Sequence, residues 1–229
     1  PVLPGVPAVR AGSGRPLMRP TCETMGTVVS LTGVDAGSAA AVEGTFTDAD
    51  ARFSLYRLDS ELSRVASGAL SMTESSVELR DTYADALAWR ALTDGAFTPN
   101  RPDGVIDLNG VVKAKAMRAA GVILRGRGCL QWSLNVGGDI LVCGAQSTPT
   151  GIADPDDRSG LLCAVELRGS RRAIATSGGA ERGDHIWLAG TAERAEFEQV
   201  TVVADDIVTA DVLATAIVAG GRRTLDDLT

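Results

Sequence analysis

Apolar positions return at helical spacing in four stretches of the chain, residues 38–53, 75–93, 112–124 and 207–219, and each predicts an amphipathic helix. In the second, Leu79, Tyr83, Ala86, Leu87 and Arg90 share a face, Ser75 stands where an N-cap belongs, and Gly95 supplies the stop. The last is closed by Gly220-Gly221. Shorter apolar runs bounded by glycine turns predict strands at 25–31, 105–108, 132–135, 139–143, 162–167, 172–176 and 199–203. Strands joined by short turns pair antiparallel, so the expected fold class is α+β, with helices packed on a mainly antiparallel sheet. Residues 1–20 carry Pro, Gly and Arg without periodicity and are expected to form a flexible N-terminal arm. A single domain is expected over 21–229.

Composition narrows the partners. Hydrophobic residues make up 45% and charged residues 22%, ordinary values for a packed domain. A net charge of −7 and the lack of a basic patch with interleaved aromatics argue against a nucleic-acid partner. No run approaches the ~18 apolar residues of a membrane span. No leader or lipid-attachment pattern is visible, Pro20-Thr21-Cys22 lacking the small-residue context, so a cytoplasmic location is expected ahead of an extracytoplasmic one. Cys22, Cys129, Cys143 and Cys163 show no C-x-x-C spacing, which argues against zinc, and Cys143 and Cys163 are expected to be buried.

Several segments carry candidate chemistry. Asp211 and Thr215 are four apart on the last helix, which sets their side chains on one face about 6 Å apart. A carboxylate and a hydroxyl are hard oxygen ligands that suit Mg2+. Most such pairs are only a solvated helix face, but the flanking Ala210, Val212, Leu213, Ala214 and Ile217 point to burial, where an unpartnered Asp is costly. In Asp107-Leu108-Asn109-Gly110-Val111-Val112-Lys113, a turn feeds a helix start whose dipole favours phosphate, and Lys113 could pair with that phosphate or with Asp107. Lys113 and Lys115 are the only lysines in an arginine-rich chain. Asn135-Val136-Gly137-Gly138-Asp139 is a glycine turn between strands and matches neither a P-loop nor a dinucleotide fingerprint. His185, the sole histidine, is a candidate general base, although a lone histidine is more often structural. No G-x-S-x-G elbow accompanies Ser54, Ser60 or Ser177, which argues against triad hydrolysis.

Taken in order, these pieces resemble the ApbE family of FAD:protein FMN transferases. The resemblance runs through Met25-Gly26-Thr27, the segment from Phe53 to Arg64, Gly95-Ala96-Phe97, Asp107 to Lys113, Asn135 to Ile140 and Gly151 to Pro155. It continues through Ala173-Ile174-Ala175-Thr176-Ser177-Gly178, Glu181 to Ile186, Val200 to Val203 and Ala210 to Ala216. It implies a T-fold-like architecture and an enzyme that cleaves FAD with Mg2+, attaches FMN through a phosphoester to a Ser or Thr of an acceptor protein, and releases AMP. The metal ligands implied are Asp211, Thr215 and a backbone oxygen near Gly110. FAD is implied to lie against Met25, Tyr56, Ala96, Phe97, Thr98, Asp107, Lys113 and Ala214, with His185 or Asp211 as the base.

The family also leaves two alternatives, an FAD diphosphatase giving FMN and AMP, and a non-catalytic flavin-binding module. This chain departs from the usual pattern at Ile186-Trp187-Leu188-Ala189-Gly190, where Asp-Pro-x-x-Gly is usual, and at Thr98, Ala114 and Arg118. Ser67-Gly68-Ala69 partly resembles an acceptor motif, but Leu70 breaks it.

Overall fold

The computed structural model describes residues 21–157, 159–178 and 195–228. The expected arm and His185 with its loop lie outside the described residues.

Six strands form one antiparallel sheet in the order β1-β2-β3-β4-β7-β8: β1 (Thr21–Thr24), β2 (Thr27–Thr32), β3 (Trp132–Val136), β4 (Asp139–Cys143), β7 (Ala173–Gly178) and β8 (Gln199–Ala204). A separate antiparallel pair holds β5 (Thr148–Ala153) and β6 (Leu161–Leu167). The helices are α1 (Ala36–Phe53), α2 (Glu61–Ala66), α3 (Val77–Leu92), α4 (Asn109–Gly126) and α5 (Ile207–Leu228), with one 3-10 turn at Met72–Glu74. The expected α+β class with a mainly antiparallel sheet is what forms.

Side-chain alternation sorts the sheet into two faces. Val29, Leu31, Leu134, Val136, Leu141, Ala173 and Ala175 join the main core with α1, α4 and α5. Their neighbours Val142 and Ile174 turn the other way and meet Leu167, Ile152 and Val165 of the β5–β6 pair. Small residues on α4 and α5 (Ala114, Ala120, Ala210 and Ala216) are fully or nearly fully buried and let these two helices pack closely.

Several boundaries differ from expectation. Residues 25 and 26 are not strand but the tip of the β1–β2 hairpin, where Met25 (φ 52°) and Gly26 (φ 69°) both take positive φ, as a two-residue primed turn requires. The cap of α3 is Ser76, whose side chain accepts from Leu79 N; Ser75 instead ends the 3-10 turn. Residues 105–108 form no regular strand, only a bridge between Ile106 and Asn100, and α4 begins at Asn109 rather than 112. Helix α5 runs past Gly220 to Leu228, interrupted at Gly221 (φ 67°). Against expectation Cys163 is exposed, on the largely exposed strand β6, and Cys143 is half-buried at the edge of the main core.

Candidate functional site

A cavity of about 820 Å3 opens where five connections meet: the Met25-Gly26 turn, the segment after α1, the loop before α4, the β3–β4 turn and the end of β7. Helices α4 and α5 form its floor through Lys113, Thr215 and Ala219. That volume lies near the upper end for small-molecule pockets, enough for an extended ligand.

Local chemistry explains how each wall is built. Ser60 donates to the Ser54 carbonyl at 2.5 Å and caps α2 through Ser63 N, which fixes the loop that carries Tyr56 and Arg57. Arg57 is held to Asp50 at 3.7 Å and Asp59 at 3.2 Å. Tyr56 is 79% exposed, so it stands at the cavity's rim. Thr93 accepts from Phe97 N at 3.0 Å and so anchors the Ala96-Phe97-Thr98 wall. Phe97 packs so near the first turn of α4 that a Cβ at Gly110 would lie 2.9 Å from its Cε2, so glycine is required there. At the β3–β4 turn a Cβ on Gly137 would lie 2.4 Å from Thr27 Oγ1. The chain thus keeps glycine at these two close approaches between walls.

The start of α4 borders the cavity. Its N-cap, Leu108, offers no side-chain cap, and Asn109 and Gly110 line the cavity. Asp107 accepts Asn109 N at 2.9 Å and does not pair with Lys113.

Lys113 instead reaches down to two buried carboxylates. Its Nζ contacts Asp139 Oδ2 and lies 3.6 Å from Asp211 Oδ1, and the three side chains are 5%, 1% and 3% exposed. Asp139 Oδ1 also accepts the Thr176 N–H at 3.0 Å. One helical turn beyond Asp211, Thr215 Oγ1 lies 3.0 Å from Ser177 Oγ on β7.

The donor set fits Mg2+. Two carboxylates and one ammonium sum to −1 in a buried place, which a further cation would balance. The Asp211 carboxylate, the Thr215 hydroxyl and the backbone at Gly110 offer only hard oxygen. No group of three or more His, Cys, Asp or Glu gathers among the described residues. An all-protein cage is therefore not formed there, and Mg2+ commonly completes its shell with water and substrate phosphate.

The structure brings together most residues singled out in the sequence. Met25, Tyr56, Ala96, Phe97, Thr98, Asp107, Gly110, Lys113 and Thr215 line the cavity. Asp211 sits just behind it, against Lys113, while Ala214 is fully buried and does not line it. Sequence reasoning missed the roles of Asp139 and Ser177. Both stood in quoted motifs, and the signal that finds them is the chemical type of residue beside a glycine turn and at a strand end.

A model of the ApbE family matches residues 25–102 and 100–228. Among solved structures, the ApbE protein of Thermotoga maritima is 20% identical, with 93% of this chain and 91% of that one covered and a TM-score of 0.74. The flavin transferase ApbE of Vibrio cholerae is also 20% identical, with 92% and 89% covered and a TM-score of 0.73. The flavinyl transferase ApbE of Pseudomonas stutzeri, in its apo form, is 21% identical, with 92% and 87% covered and a TM-score of 0.76. These likenesses establish a shared fold. A search of curated proteins gave no match.

Proposed function

This chain belongs to the ApbE family, and from that premise we propose that it is a Mg2+-dependent FAD:protein FMN transferase. The observation that carries the proposal is the buried Lys113–Asp139–Asp211 cluster beneath a cavity of about 820 Å3, with Thr215 and Ser177 beside it and the start of α4 in its wall.

Each residue then has a task that its chemistry suits. Met25, Tyr56 and Phe97 offer apolar surface for the flavin rings, and the Ala96-Phe97-Thr98 wall and Asp107 offer polar edges. The diphosphate would lie against the start of α4 at Gly110 and against Lys113, both of which line the cavity. Asp211, Thr215 and the Gly110 backbone would hold Mg2+, which when bound polarises the phosphorus and stabilises the leaving phosphate charge. The acceptor's Ser or Thr oxygen attacks the phosphorus of the FMN half, the P–O bond to AMP breaks, and AMP departs. His185 or Asp211 takes the hydroxyl proton. Little covalent work falls to the protein; positioning and charge do most of it.

The test is direct. The chain, FAD, Mg2+ and an acceptor domain carrying a Ser/Thr flavinylation motif are combined, and the acceptor should become a flavin-fluorescent band on a denaturing gel while AMP accumulates. A dark acceptor under conditions where FAD binds overturns the transferase reading. AMP and FMN release without any acceptor would instead identify a diphosphatase.

A further inference from the structure

Asp139 has no task in that reaction, yet it is among the most buried charges of the described chain, at 1% exposed. It opens β4 directly after the Gly137-Gly138 turn. Both its oxygens are engaged. Oδ1 accepts the Thr176 N–H at 3.0 Å, and Oδ2 contacts Lys113 Nζ. The bond to Thr176 ties the carboxylate to the β7 backbone, so it cannot follow Lys113 if the lysine moves.

The same ammonium lies 3.6 Å from Asp211 Oδ1. Lys113 therefore stands between two carboxylates, and its tighter contact is with Asp139. A buried ammonium seeks the nearest anion, because leaving it unpaired is costly. Were Asp139 neutral, that anion would be Asp211. Lys113 would then neutralise the carboxylate that the proposed reaction assigns to the metal.

We propose that Asp139 is a positioning residue that draws the Lys113 ammonium toward itself, leaving it 3.6 Å from Asp211 Oδ1 rather than in closer contact, and so leaves the Asp211 carboxylate fit to take a divalent cation. The inference rests on the metal reading given above. Its electrostatics are simple. With all three groups the cluster carries −1; without Asp139 it carries zero, and without Lys113 it carries −2. At these short distances in a buried site, each unit step changes cation affinity by roughly tenfold or more. The strand that fixes Asp139 through Thr176 also carries Ser177, the neighbour of Thr215, so β7 steadies both the lysine's anchor and the partner of Thr215.

The experiment measures Mn2+ binding by electron paramagnetic resonance, with and without FAD, in the full chain and in three variants. Asp139→Asn preserves size and the acceptor for Thr176 N and should weaken Mn2+ binding roughly tenfold. Lys113→Met should tighten it by a similar factor. The double variant, with Asp211 alone at −1, should return to within about threefold of the parent if the two effects add. Thermal midpoints are recorded beside each titration. A purely structural role would lower the midpoint without sending affinity in opposite directions, so either single variant that folds decides the matter. Unchanged affinity in Asp139→Asn, or weakening in Lys113→Met, overturns this inference alone. No Mn2+ binding by the parent chain, even with FAD, overturns the metal reading and this inference with it.

Discussion

Ser177 Oγ and Thr215 Oγ1 lie 3.0 Å apart, a hydrogen bond that joins the end of β7 to the closing helix at the cavity wall. A hydroxyl that presents a lone pair to a cation must send its proton elsewhere, and Ser177 is placed to accept it. Ser177→Ala should therefore raise the Mg2+ concentration needed for half-maximal AMP release by about tenfold or more, the usual cost of losing a ligand's orienting partner. Ser177→Thr should restore it. An unchanged Mg2+ requirement in Ser177→Ala would show that Thr215 needs no such partner.

Asp211→Ala should lower turnover on the order of a thousandfold, since several kcal/mol of charge stabilisation at the phosphate would be lost with the metal. The fold should survive. Lys113 keeps its contact with Asp139, so the truncation does not strand the buried ammonium. Circular dichroism and the thermal midpoint check the fold, and a coupled AMP assay checks turnover. Full activity would remove Asp211 from the site.

Much of this arrangement was legible in the chain, and the gaps have physical causes. Helices α1, α4 and α5 announce themselves because each buries a stripe in the main core, α1 chiefly against α4, and that stripe dictates the 3.6-residue period. Strand β1 does not, because Thr21–Thr24 is a short edge strand with exposed and half-buried positions only. Strand β5 hides behind Pro149 and Gly151, both poor strand residues, which an edge pairing with β6 tolerates. The pair Asp211 and Thr215 is local and so visible at helical spacing. The ionic cluster is not: Lys113, Asp139 and Asp211 come from a helix start, a strand start and the closing helix, and only the sheet order brings them together. A pairing of Lys113 with Asp107, open from the sequence, gives way because Asp107 turns back to cap its own loop at Asn109 N.

Gly110→Ala sets two effects against each other. Alanine improves helix propensity by up to about 1 kcal/mol, less at a first turn. Its Cβ, however, would lie 2.9 Å from Phe97 Cε2, and Phe97 is 3% exposed, so its ring has little room to retreat. Overpacking of this kind costs about 1–3 kcal/mol. The clash should win, giving a net loss of about 1 kcal/mol or more in urea unfolding. Because Phe97 lines the cavity, the KM for FAD should rise as well. A variant more stable than the parent, with unchanged KM, would show that the wall yields freely.

The entry to α1 should give the protein a small acid-sensitive component of stability. Asp35 caps the helix through Ser38 N at 2.8 Å, and Ser38 Oγ in turn accepts from Arg127 Nε at the far end of α4. The Ser38 backbone N–H, followed by its hydroxyl, holds the Asp35 carboxyl below its ordinary range. A carboxyl depressed in the folded state stabilises fully above its unfolded value, about 4, and loses that contribution as pH falls through the lower folded value. Asn is also a good cap but does not titrate. The parent should therefore exceed Asp35→Asn in urea midpoint at neutral pH, with the gap narrowing as pH falls below about 4 and closing in stronger acid. Added salt should narrow it at neutral pH too, since the site is exposed to solvent. A gap that stays constant across the acid range would mean that the carboxylate's charge, as distinct from its hydrogen bond, contributes nothing to holding α1 in place.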